Sequence, residues 1–241
     1  MSKIRRSLFE FSRTAQPRFP QGKGRSVIER NIPDVTISRL PAYLRVLHEL
    51  QSEGESIVSS SKMGSLTGFS SEQIRKDLAY FGAFGTRGLG YNAEVLEDRI
   101  RGILGLDRPV HLALVGCGNI GQAVVRYSRA QHRHLDIRYL FDVDPALVGT
   151  EIAGLEIRHA DELERVLGGE GIRLAVLAVP AEAARDTSVR LVRAGVRAIL
   201  NFAPVHLDVP EHVVVRTVDL TSELESLAYY ARENDAGPDG G

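Results

Sequence analysis

The sequence predicts an α/β protein of two parts, a helical N-terminal part and a C-terminal part built on a parallel sheet. Three observations lead to this prediction. Apolar residues recur at helical spacing between residues 40 and 81. From Val110 onward, apolar runs of strand length alternate with helical stretches, which is typical of a sheet covered by helices on both faces. At the start of this second part, a G-x-G-x-x-G pattern follows the first apolar run, at Gly116, Gly118 and Gly121.

Length and composition indicate a globular protein with two modest domains. The 241 residues are 43% hydrophobic and 25% charged, which allows each part to bury a core. No apolar run approaches the roughly 18 to 20 residues that cross a bilayer, and the N-terminus MSKIRRSLFEFSR lacks the apolar segment of a secretory signal. The one cysteine, Cys117, excludes an internal disulfide. We therefore expect a cytoplasmic protein that does not associate with membranes.

The net charge of −1 conceals two parts of opposite charge. Residues 1–91 contain fourteen Lys and Arg against eight Asp and Glu, whereas the rest of the chain contains sixteen against twenty-three. The two parts therefore carry +6 and −7. Most of the positive excess lies at the N-terminus, where residues 1–33 are rich in Ser, Gly, Pro and Gln and predict a disordered basic arm. Such an arm either contacts an acidic partner or is a solvated extension without one. The tail, residues 232–241, is also expected to be disordered.

Two helices are predicted after the arm. The first starts at SRLP, where Pro41 suits the first turn, and its apolar face consists of Leu40, Leu44, Leu47 and Leu50. The second is short and lies within IVSSSKMGSLTGF. Ser59 or Ser60 is its expected N-cap, and Gly68 supplies the turn that follows it.

A third helix and a hairpin follow. The helix begins at SSEQIRKDLAYFG, where Ser70 and Gln73 have the spacing of a capping box. Its apolar face consists of Ile74, Leu78 and Phe81. The glycine-rich stretch AFGTRGLGYN favours a short hairpin with Arg87 at its centre.

These elements predict a winged helix-turn-helix over residues 34–91, with the helix-turn-helix itself at about 42–81. In this fold the second helix of the motif enters the major groove of DNA. Its solvent-facing side chains can contact phosphates and base edges, and the candidates are Ser71, Gln73, Arg75, Lys76 and Tyr80. A glycine hairpin can also carry Arg87 into a minor groove. The alternative is a small helical bundle with a charged, solvated face.

The two parts are joined by residues 92–108, which predict a connecting helix with an apolar face of Leu96, Ile100, Ile103 and Leu104. A Rossmann-type domain over residues 109–218 follows. Its predicted strands are VHLALV, IRYLFDVD, GLEIRH, IRLAVLAV and RAILNFA, and its predicted helices lie at GQAVVRYSRA, DELERVL and ARDTSVRLVRAG.

The glycine pattern gains specificity from its context. It follows a strand, begins a helix and precedes Asp142, which ends the next strand 21 residues after Gly121. The first glycine permits a tight turn, the second lets the backbone approach a pyrophosphate, and the third allows close packing of helix and strand. Asp142 can accept hydrogen bonds from the adenosine ribose and would repel a 2′-phosphate, which favours NAD(H) over NADP(H). A glycine turn without a ligand is the alternative. The candidate loop residues are Gly116, Cys117, Gly118, Asn119, Ile120 and Gly121.

Taken together, the motifs resemble the Rex family of bacterial redox-sensing transcriptional repressors. The resemblance runs from about Ser38 to Tyr229 and rests on SRLPAYLRVLHEL, QIRKDLAYFGAFGTRGLGY, LVGCGNIGQAVVRY, FDVDPALVG, AVPAEAA, ILNFAPVHLDVP and VDLTSELESLAYY. It implies a homodimer that binds a palindromic operator through its winged helices and NAD(H) through its Rossmann domains, with NADH as the effector that releases the DNA. It also implies that the last helix, within residues 219–231, is domain-swapped onto the partner's cofactor domain.

A sensor must bind the two redox forms of its ligand with different affinity. The nicotinamide ring is cationic in NAD⁺ and neutral in NADH, so an apolar pocket around it favours NADH. Candidate walls lie in the AVPA turn, the NFAP turn and the partner's last helix, at Val179, Pro180, Phe202, Ala203, Pro204 and Leu220. From the resemblance and the chemistry, we expect Asp219 to pair with Arg39 or Tyr127 in one dimer arrangement and to lose the contact in another. The alternative is that Asp219 caps the last helix.

Two other functions are compatible with a dinucleotide site. An NAD-dependent dehydrogenase with a reduced substrate domain needs a general acid or base near the nicotinamide. Only 36 residues follow NFAPV, enough for one strand, one helix and a tail, and the histidine nearest that loop, His206, is at a position where solvent-facing side chains are common. The other function is an NAD-binding, DNA-associated module that does not switch. The sequence favours the repressor and predicts no catalytic residue and no metal site.

Overall fold

The computed structural model describes residues 32–82, 85–86, 89–131 and 134–235. The chain divides into two compact units, residues 1–108 and 109–241, with separate apolar cores. Most of the predicted basic arm, the end of the tail from residue 236, and Arg87 lie outside the described residues. No helix within the described ranges is long and apolar enough to cross a membrane.

The described part of the first unit combines helices with a small antiparallel sheet. The helices are α1 (Asp34–Ser52), α2 (Ser60–Thr67), α3 (Ser71–Ala79) and α4 (Ala93–Leu104), and the strands are β1 (Ile57–Val58), β2 (Gly85–Thr86) and β3 (Gly90–Asn92). β3 pairs with β2, as the hairpin prediction requires, and also with β1, which the sequence did not indicate because it has only two residues. The order of elements is that of a winged helix-turn-helix.

Helix α1 begins seven residues before the proline that was expected in its first turn. Pro33 is the N-cap residue, and its carbonyl accepts from Thr36 N and Ile37 N at 2.8 and 3.2 Å. Asp34 lies in the first turn, where the helix dipole favours a carboxylate. The prediction that SRLP starts the helix is therefore wrong, and Pro41 lies inside it. Apolar residues on both sides of Pro41 pack into one core, which offsets the backbone bond that proline cannot donate.

Helix α4, which the sequence predicts as a connecting helix, also contributes to the core of the first unit. Ala93, Leu96 and Ile100 are buried in the same cluster as the leucines of α1. Asn92 caps the helix, since its Oδ1 accepts from Val95 N at 3.0 Å. The amphipathic period identified the buried face of α4 but could not identify the helix that covers it.

The second unit is built on a mostly parallel sheet. Its strands are β4 (Val110–Val115), β5 (Leu135–Asp142), β6 (Glu151–Ile152), β7 (Leu155–His159), β8 (Leu174–Leu177), β9 (Ala198–Asn201) and β10 (Val214–Thr217). Its helices are α5 (Asn119–Gln131), α6 (Leu163–Glu170), α7 (Ala181–Arg193) and α8 (Leu220–Asp235). The order within the described sheet is β10-β9-β8-β4-β5-β7-β6, and β6 is antiparallel to β7 while the other pairs are parallel. The sequence did not predict β6.

The strand order places a ligand crevice at the end of β4. From β4 the chain continues to β5 and β7 on one side, and then returns to β8, β9 and β10 on the other. In open parallel sheets, ligands bind outside the carboxyl ends of the strands where the order reverses in this way. The predicted strands and the glycine loop are thus arranged as a Rossmann-type fold.

Candidate cofactor-binding and DNA-binding sites

The loop between β4 and α5 forms a cradle at the carboxyl end of β4. Gly116 has φ +95°, and a Cβ there would lie 2.4 Å from the carbonyl oxygen of Ala178. A Cβ on Gly121 would lie 1.9 Å from the carbonyl oxygen of Gly116. A Cβ on Gly118, in contrast, meets no atom within 4 Å. The first and third glycines thus permit close backbone packing, and the second borders open space that a phosphate group can enter, so the loop fits a pyrophosphate.

The first turn of α5 presents backbone donors beside this space. Asn119 and Ile120 begin the helix and are exposed. The N–H groups of a first turn have no partner within their own helix, and the positive end of the helix dipole attracts an anion. Gln122 Nε2 donates to the carbonyl of Cys117 at 3.2 Å and so ties the loop to the helix. The predicted loop residues therefore lie together at one helix N-terminus.

Asp142 lies directly beside the glycine loop. Its Oδ2 accepts from Cys117 N at 2.6 Å, and its Oδ1 accepts from Val143 N at 2.7 Å and Asp144 N at 2.9 Å. The side chain is half-buried, and since each carboxylate oxygen has about two acceptor sites, Oδ2 retains capacity to accept from a ribose hydroxyl. Asp144 caps the following turn, because its Oδ1 accepts from Ala146 N at 2.8 Å. Of the two carboxylates, the geometry supports Asp142 as the ribose ligand.

Cys117 is a packing residue. It is fully buried, and its Sγ lies 3.6 Å from the carbonyl oxygen of Phe141. Burial raises the pKa of the thiol to about 12, and the neighbouring Asp142 carboxylate acts in the same direction. Because the thiolate is the reactive form of cysteine, the raised pKa disfavours reaction of this side chain at neutral pH.

The loops after β8 and β9 end at the same edge of the sheet as the glycine loop. Val179 and Phe202 are half-buried and pack against the cores, and Ala203 is buried, whereas Pro180 and Pro204 are exposed. Neighbouring parallel strands have their carboxyl ends on one side, so both turns face the ligand crevice. The structure brings these five candidate wall residues to the edge where the sequence placed them.

Asn201 organises the NFAP turn and was missed by the sequence reasoning. Its side chain is fully buried, with Nδ2 donating to the carbonyls of Ala203 at 2.9 Å and Val205 at 3.1 Å. Its Oδ1 accepts from Ala203 N at 3.0 Å. An Asn after an apolar strand is a signal for such a turn. His206 is exposed beyond it, and its Nε2 lies 3.7 Å from Asp208 Oδ1, too far for a hydrogen bond that would orient the ring.

The helix-turn-helix has well-formed caps. Ser59 is the N-cap of α2, since its Oγ accepts from Lys62 N at 3.1 Å. Gly68 ends α2 with φ +80°, and Ser70 then caps α3 by accepting from Gln73 N at 3.1 Å. The tight turn and the second helix of the motif were therefore predicted correctly.

The candidate DNA-contacting side chains on α3 differ in exposure. Arg75 and Lys76 are exposed, and Arg75 Nη1 donates to Ser60 Oγ at 2.9 Å. Ser71 is half-buried, and the half-buried Tyr80 packs against the core. The cationic pair is thus the most accessible part of this helix face.

Gln73 does not project from α3 as the sequence predicted. Its Nε2 donates to Oδ1 of Asp77 at 2.9 Å, so the half-buried side chain is directed along α3 towards this carboxylate. The physical reason is the buried carboxylate one turn further along the helix, which the sequence reasoning did not identify. Asp77 offers the amide N–H of Gln73 a charged acceptor, whereas a capping box would use only Oε1 of Gln73, as acceptor of the Ser70 N–H.

The predicted switch residues have other partners within one chain. Arg39 pairs with Asp77, with Nε to Oδ2 at 2.6 Å and Nη2 to Oδ1 at 2.7 Å. Asp219 caps α8, because its Oδ1 accepts from Thr221 N and Ser222 N at 3.1 Å each. Tyr127 is exposed on α5. A contact between Asp219 and Arg39 or Tyr127 stays a prediction about the dimer.

Helix α8 exposes apolar side chains. All side chains from Leu220 to Arg232 are exposed. The large apolar ones are Leu220, Leu224, Leu227, Tyr229 and Tyr230. A run of this kind on a helix surface is typical of a protein interaction site. Among the described residues, no group of three or more His, Cys, Asp or Glu is placed to hold a metal ion.

Comparison with known proteins assigns a family to both units. The family model described as "Putative DNA-binding protein N-terminus" matches residues 31–79, and the model described as "CoA binding domain" matches residues 107–205. The redox-sensing transcriptional repressor Rex of Natranaerobius thermophilus is 45% identical over 201 residues, which cover 83% of this chain and 92% of that protein.

Solved structures match over the same extent. RSP, a Rex-family repressor, in complex with β-NAD⁺ and operator DNA is 35% identical with a TM-score of 0.79, and the match covers 86% of this chain and 95% of that one. RSP in complex with β-NADH is 33% identical with a TM-score of 0.76, over 86% and 97% of the two chains. With a glycine cradle beside Asp142, a capped helix-turn-helix and this extent of similarity, the chain belongs to the Rex family of redox-sensing transcriptional repressors.

Proposed function

We propose that this protein is a transcriptional repressor that senses the ratio of NADH to NAD⁺, binding a palindromic operator as a homodimer and releasing it when NADH binds. The observation that carries the proposal is the presence, in one chain, of a helix-turn-helix that exposes Arg75 and Lys76 and of a dinucleotide cradle. RSP has been crystallised with both kinds of ligand, β-NADH alone and β-NAD⁺ with operator DNA. A repressor acts on chromosomal DNA, so we place the protein in the cytoplasm.

Discrimination between the two redox forms rests on the charge of the nicotinamide ring. The loops after β8 and β9 offer apolar side chains at the crevice, including Val179 and Phe202. Burying an unpaired cation beside them is costly, whereas a neutral ring is accepted, so the pocket favours NADH. Leu220 from the partner is proposed as a further apolar wall. A ligand with different affinity for two conformations shifts the equilibrium between them.

The homodimer is supported by α8. Its apolar side chains are exposed in one chain, and an isologous contact with a second copy would cover them. We propose that α8 crosses to the cofactor domain of the partner, as the family resemblance implies. Two winged helices at a fixed separation then match the two half-sites of a palindrome.

The proposed function is tested by measuring DNA binding across the NADH to NAD⁺ ratio at fixed total cofactor. The probe is a duplex selected by the full-length chain from a randomised pool. Binding is expected to fall as the NADH fraction rises, and NADH is expected to stay intact on long incubation with candidate substrates. Binding that ignores the ratio would indicate a non-switching module, and steady oxidation of NADH would indicate a dehydrogenase.

Substitution of the ribose carboxylate is expected to weaken the NADH response without affecting DNA binding in the absence of cofactor. Asp142→Ala removes hydrogen bonds to a charged acceptor, each worth about 1.5–3 kcal/mol, so NADH affinity should fall by about 10- to 100-fold. Fluorescence titration with NADH measures the change. Asp144→Ala is the matched control, because this carboxylate caps a turn. An unchanged affinity in Asp142→Ala would exclude it as the ribose ligand.

Substitutions on α3 are expected to show whether its side chains contact base edges, which gives sequence specificity, or phosphates, which gives affinity for any DNA. Arg75→Ala or Lys76→Ala should weaken operator binding by about 1–3 kcal/mol if the side chain contacts a base edge. If it contacts a phosphate, the main effect is a reduced salt dependence of binding to all sequences. Titrations at several salt concentrations distinguish the two cases. Wild-type affinity in both variants would argue against α3 as the recognition helix, and Ser71, Tyr80 and Arg87 would be substituted next.

A further inference from the structure

A buried carboxylate ties the recognition helix to the first helix of the domain. Asp77 on α3 is fully buried and accepts five hydrogen bonds. Its Oδ1 accepts from Thr36 Oγ1 at 3.1 Å, Arg39 Nη2 at 2.7 Å and Gln73 Nε2 at 2.9 Å. Its Oδ2 accepts from Arg39 Nε at 2.6 Å and from Tyr43 OH at 2.7 Å. Four of the five bonds therefore come from α1.

The charges of this network compensate each other. Burial opposes ionisation of Asp77, but the hydrogen bonds from Arg39 and Tyr43 outweigh it, and the pKa of the carboxyl group lies below its ordinary value. The hydrogen bond to Asp77 raises the pKa of Arg39 in turn. The guanidinium also lies 5.8 Å from the ring centroid of Phe69, in the turn between α2 and α3. One arginine thus contacts both the turn and the recognition helix.

The bidentate pair determines the orientation of α3 in a way that the apolar core cannot. Contacts between Ile74, Leu78 and the rest of the core are non-directional, so they tolerate small rotations of the helix. Two parallel bonds between a guanidinium and a carboxylate fix both distance and angle. A site that reads base edges requires side chains held to about 0.5 Å. Arg75 and Lys76 immediately precede Asp77 in the sequence, so a rotation of α3 about its axis displaces both.

We infer that Asp77 is a positioning residue for operator recognition: its pair with Arg39 holds α3 in the one orientation on α1 that aims Arg75 and Lys76 at the operator. The inference rests on the proposed function, because it assumes that α3 reads DNA. Asp77 itself is buried and touches no DNA. Its loss should therefore reduce sequence-specific affinity more than general affinity for DNA.

A second buried acid in the same unit, Glu97, provides a matched control. Glu97 on α4 accepts from Gln51 Nε2 at 2.6 Å through Oε2 and from Arg101 Nε at 2.8 Å through Oε1. Like Asp77, Glu97 is a carboxylate that accepts hydrogen bonds from an arginine and from a side chain of α1. Both of these partners lie on α1 or α4, and neither lies on α3. Glu97→Gln perturbs a buried acid without changing the support of the recognition helix.

The test compares full-length Asp77→Asn and Glu97→Gln with the unaltered chain on two duplexes. One is selected by the unaltered chain from a randomised pool, and the other has the same composition in scrambled order. Asp77→Asn is expected to lose about tenfold in affinity for the selected duplex, as after loss of a base contact, while binding to the scrambled duplex and to NADH stays the same. Glu97→Gln should retain both affinities. Thermal unfolding is measured for each variant.

A retained preference for the selected duplex in Asp77→Asn would overturn the inference. The inference would also be overturned if Asp77→Asn and Glu97→Gln both lost the preference for the selected duplex in proportion to their loss of thermal stability. That result would indicate a merely structural role for Asp77. Should Asp77→Asn fail to fold, Tyr43→Phe removes one bond and keeps the charge pair; a smaller loss of preference supports the inference, and an unchanged preference overturns it. If the unaltered chain selects no duplex, the proposed function itself fails and this inference fails with it.

Discussion

Truncation after Val218, which removes α8, is expected to abolish the dimer and most of the sequence-specific affinity for DNA. The leucines and tyrosines of α8 are exposed in the described part of one chain, and we propose that they are buried against a second copy. Without the dimer, the two winged helices are no longer held at a fixed separation. Specific binding exceeds non-specific binding by about 10³- to 10⁷-fold in proteins of this kind, and most of this difference should disappear. Sedimentation and DNA titration measure the two effects.

A shorter truncation provides the control for this experiment. Removal of residues 236–241 leaves α8 complete and should preserve both the dimer and the affinity. In the longer truncation, the glycine loop and Asp142 remain within one chain, so part of the NADH affinity is expected to persist. A protein without α8 that stays dimeric, binds the selected duplex and still releases it with NADH would exclude the proposed role of this helix.

Gly121→Ala is expected to abolish NADH binding and to destabilise the second unit by more than about 3 kcal/mol, the upper range for overpacking. The added Cβ would lie 1.9 Å from the carbonyl oxygen of Gly116, and a backbone atom cannot move aside as a flexible side chain can. The start of α5 would have to separate from β4, which removes the cradle. Thermal unfolding and NADH titration measure the two effects.

Gly118→Ala is the informative counterpart. A Cβ at this position meets no protein atom within 4 Å, so the stability of the unit should remain near that of the parent. The methyl group instead occupies space proposed for the pyrophosphate, and NADH affinity should fall. A Gly118→Ala protein with unchanged NADH affinity would place the pyrophosphate elsewhere. A Gly121→Ala protein of parental stability would contradict the packing seen between α5 and the loop.

Local signals allowed much of the cofactor site to be predicted. The three glycines, the strand before them and Asp142 stand at fixed spacing along one segment, and each has a conformational or chemical role that a neighbouring residue cannot take over. The caps at Ser59 and Ser70 are likewise short-range features, decided within four residues. Periodicity identified the buried faces of the first unit.

The remaining features depend on contacts between distant residues. Asp77 stands in the helical pattern as an ordinary polar residue, and its burial follows from donors 34 to 41 positions earlier in the chain. The start of α1 was predicted incorrectly for a similar reason. A proline is typical of a first turn, but it is also tolerated inside a helix when tertiary packing compensates for the missing backbone hydrogen bond. The two-residue strand β1 is held by its pairing with β3 rather than by its own sequence.

The burial of Cys117 limits the kinds of oxidative signal to which the protein can respond directly. Peroxide sensors that act through cysteine need an accessible thiolate of low pKa, often beside a second thiol. Here the one thiol of the chain is buried within the glycine loop, and burial raises its pKa. Direct oxidation of this thiol is therefore disfavoured, and the proposed response to redox state would pass through the bound nicotinamide nucleotide. We thus expect the protein to follow the balance of electron carriers in metabolism rather than to act as a cysteine-based peroxide switch.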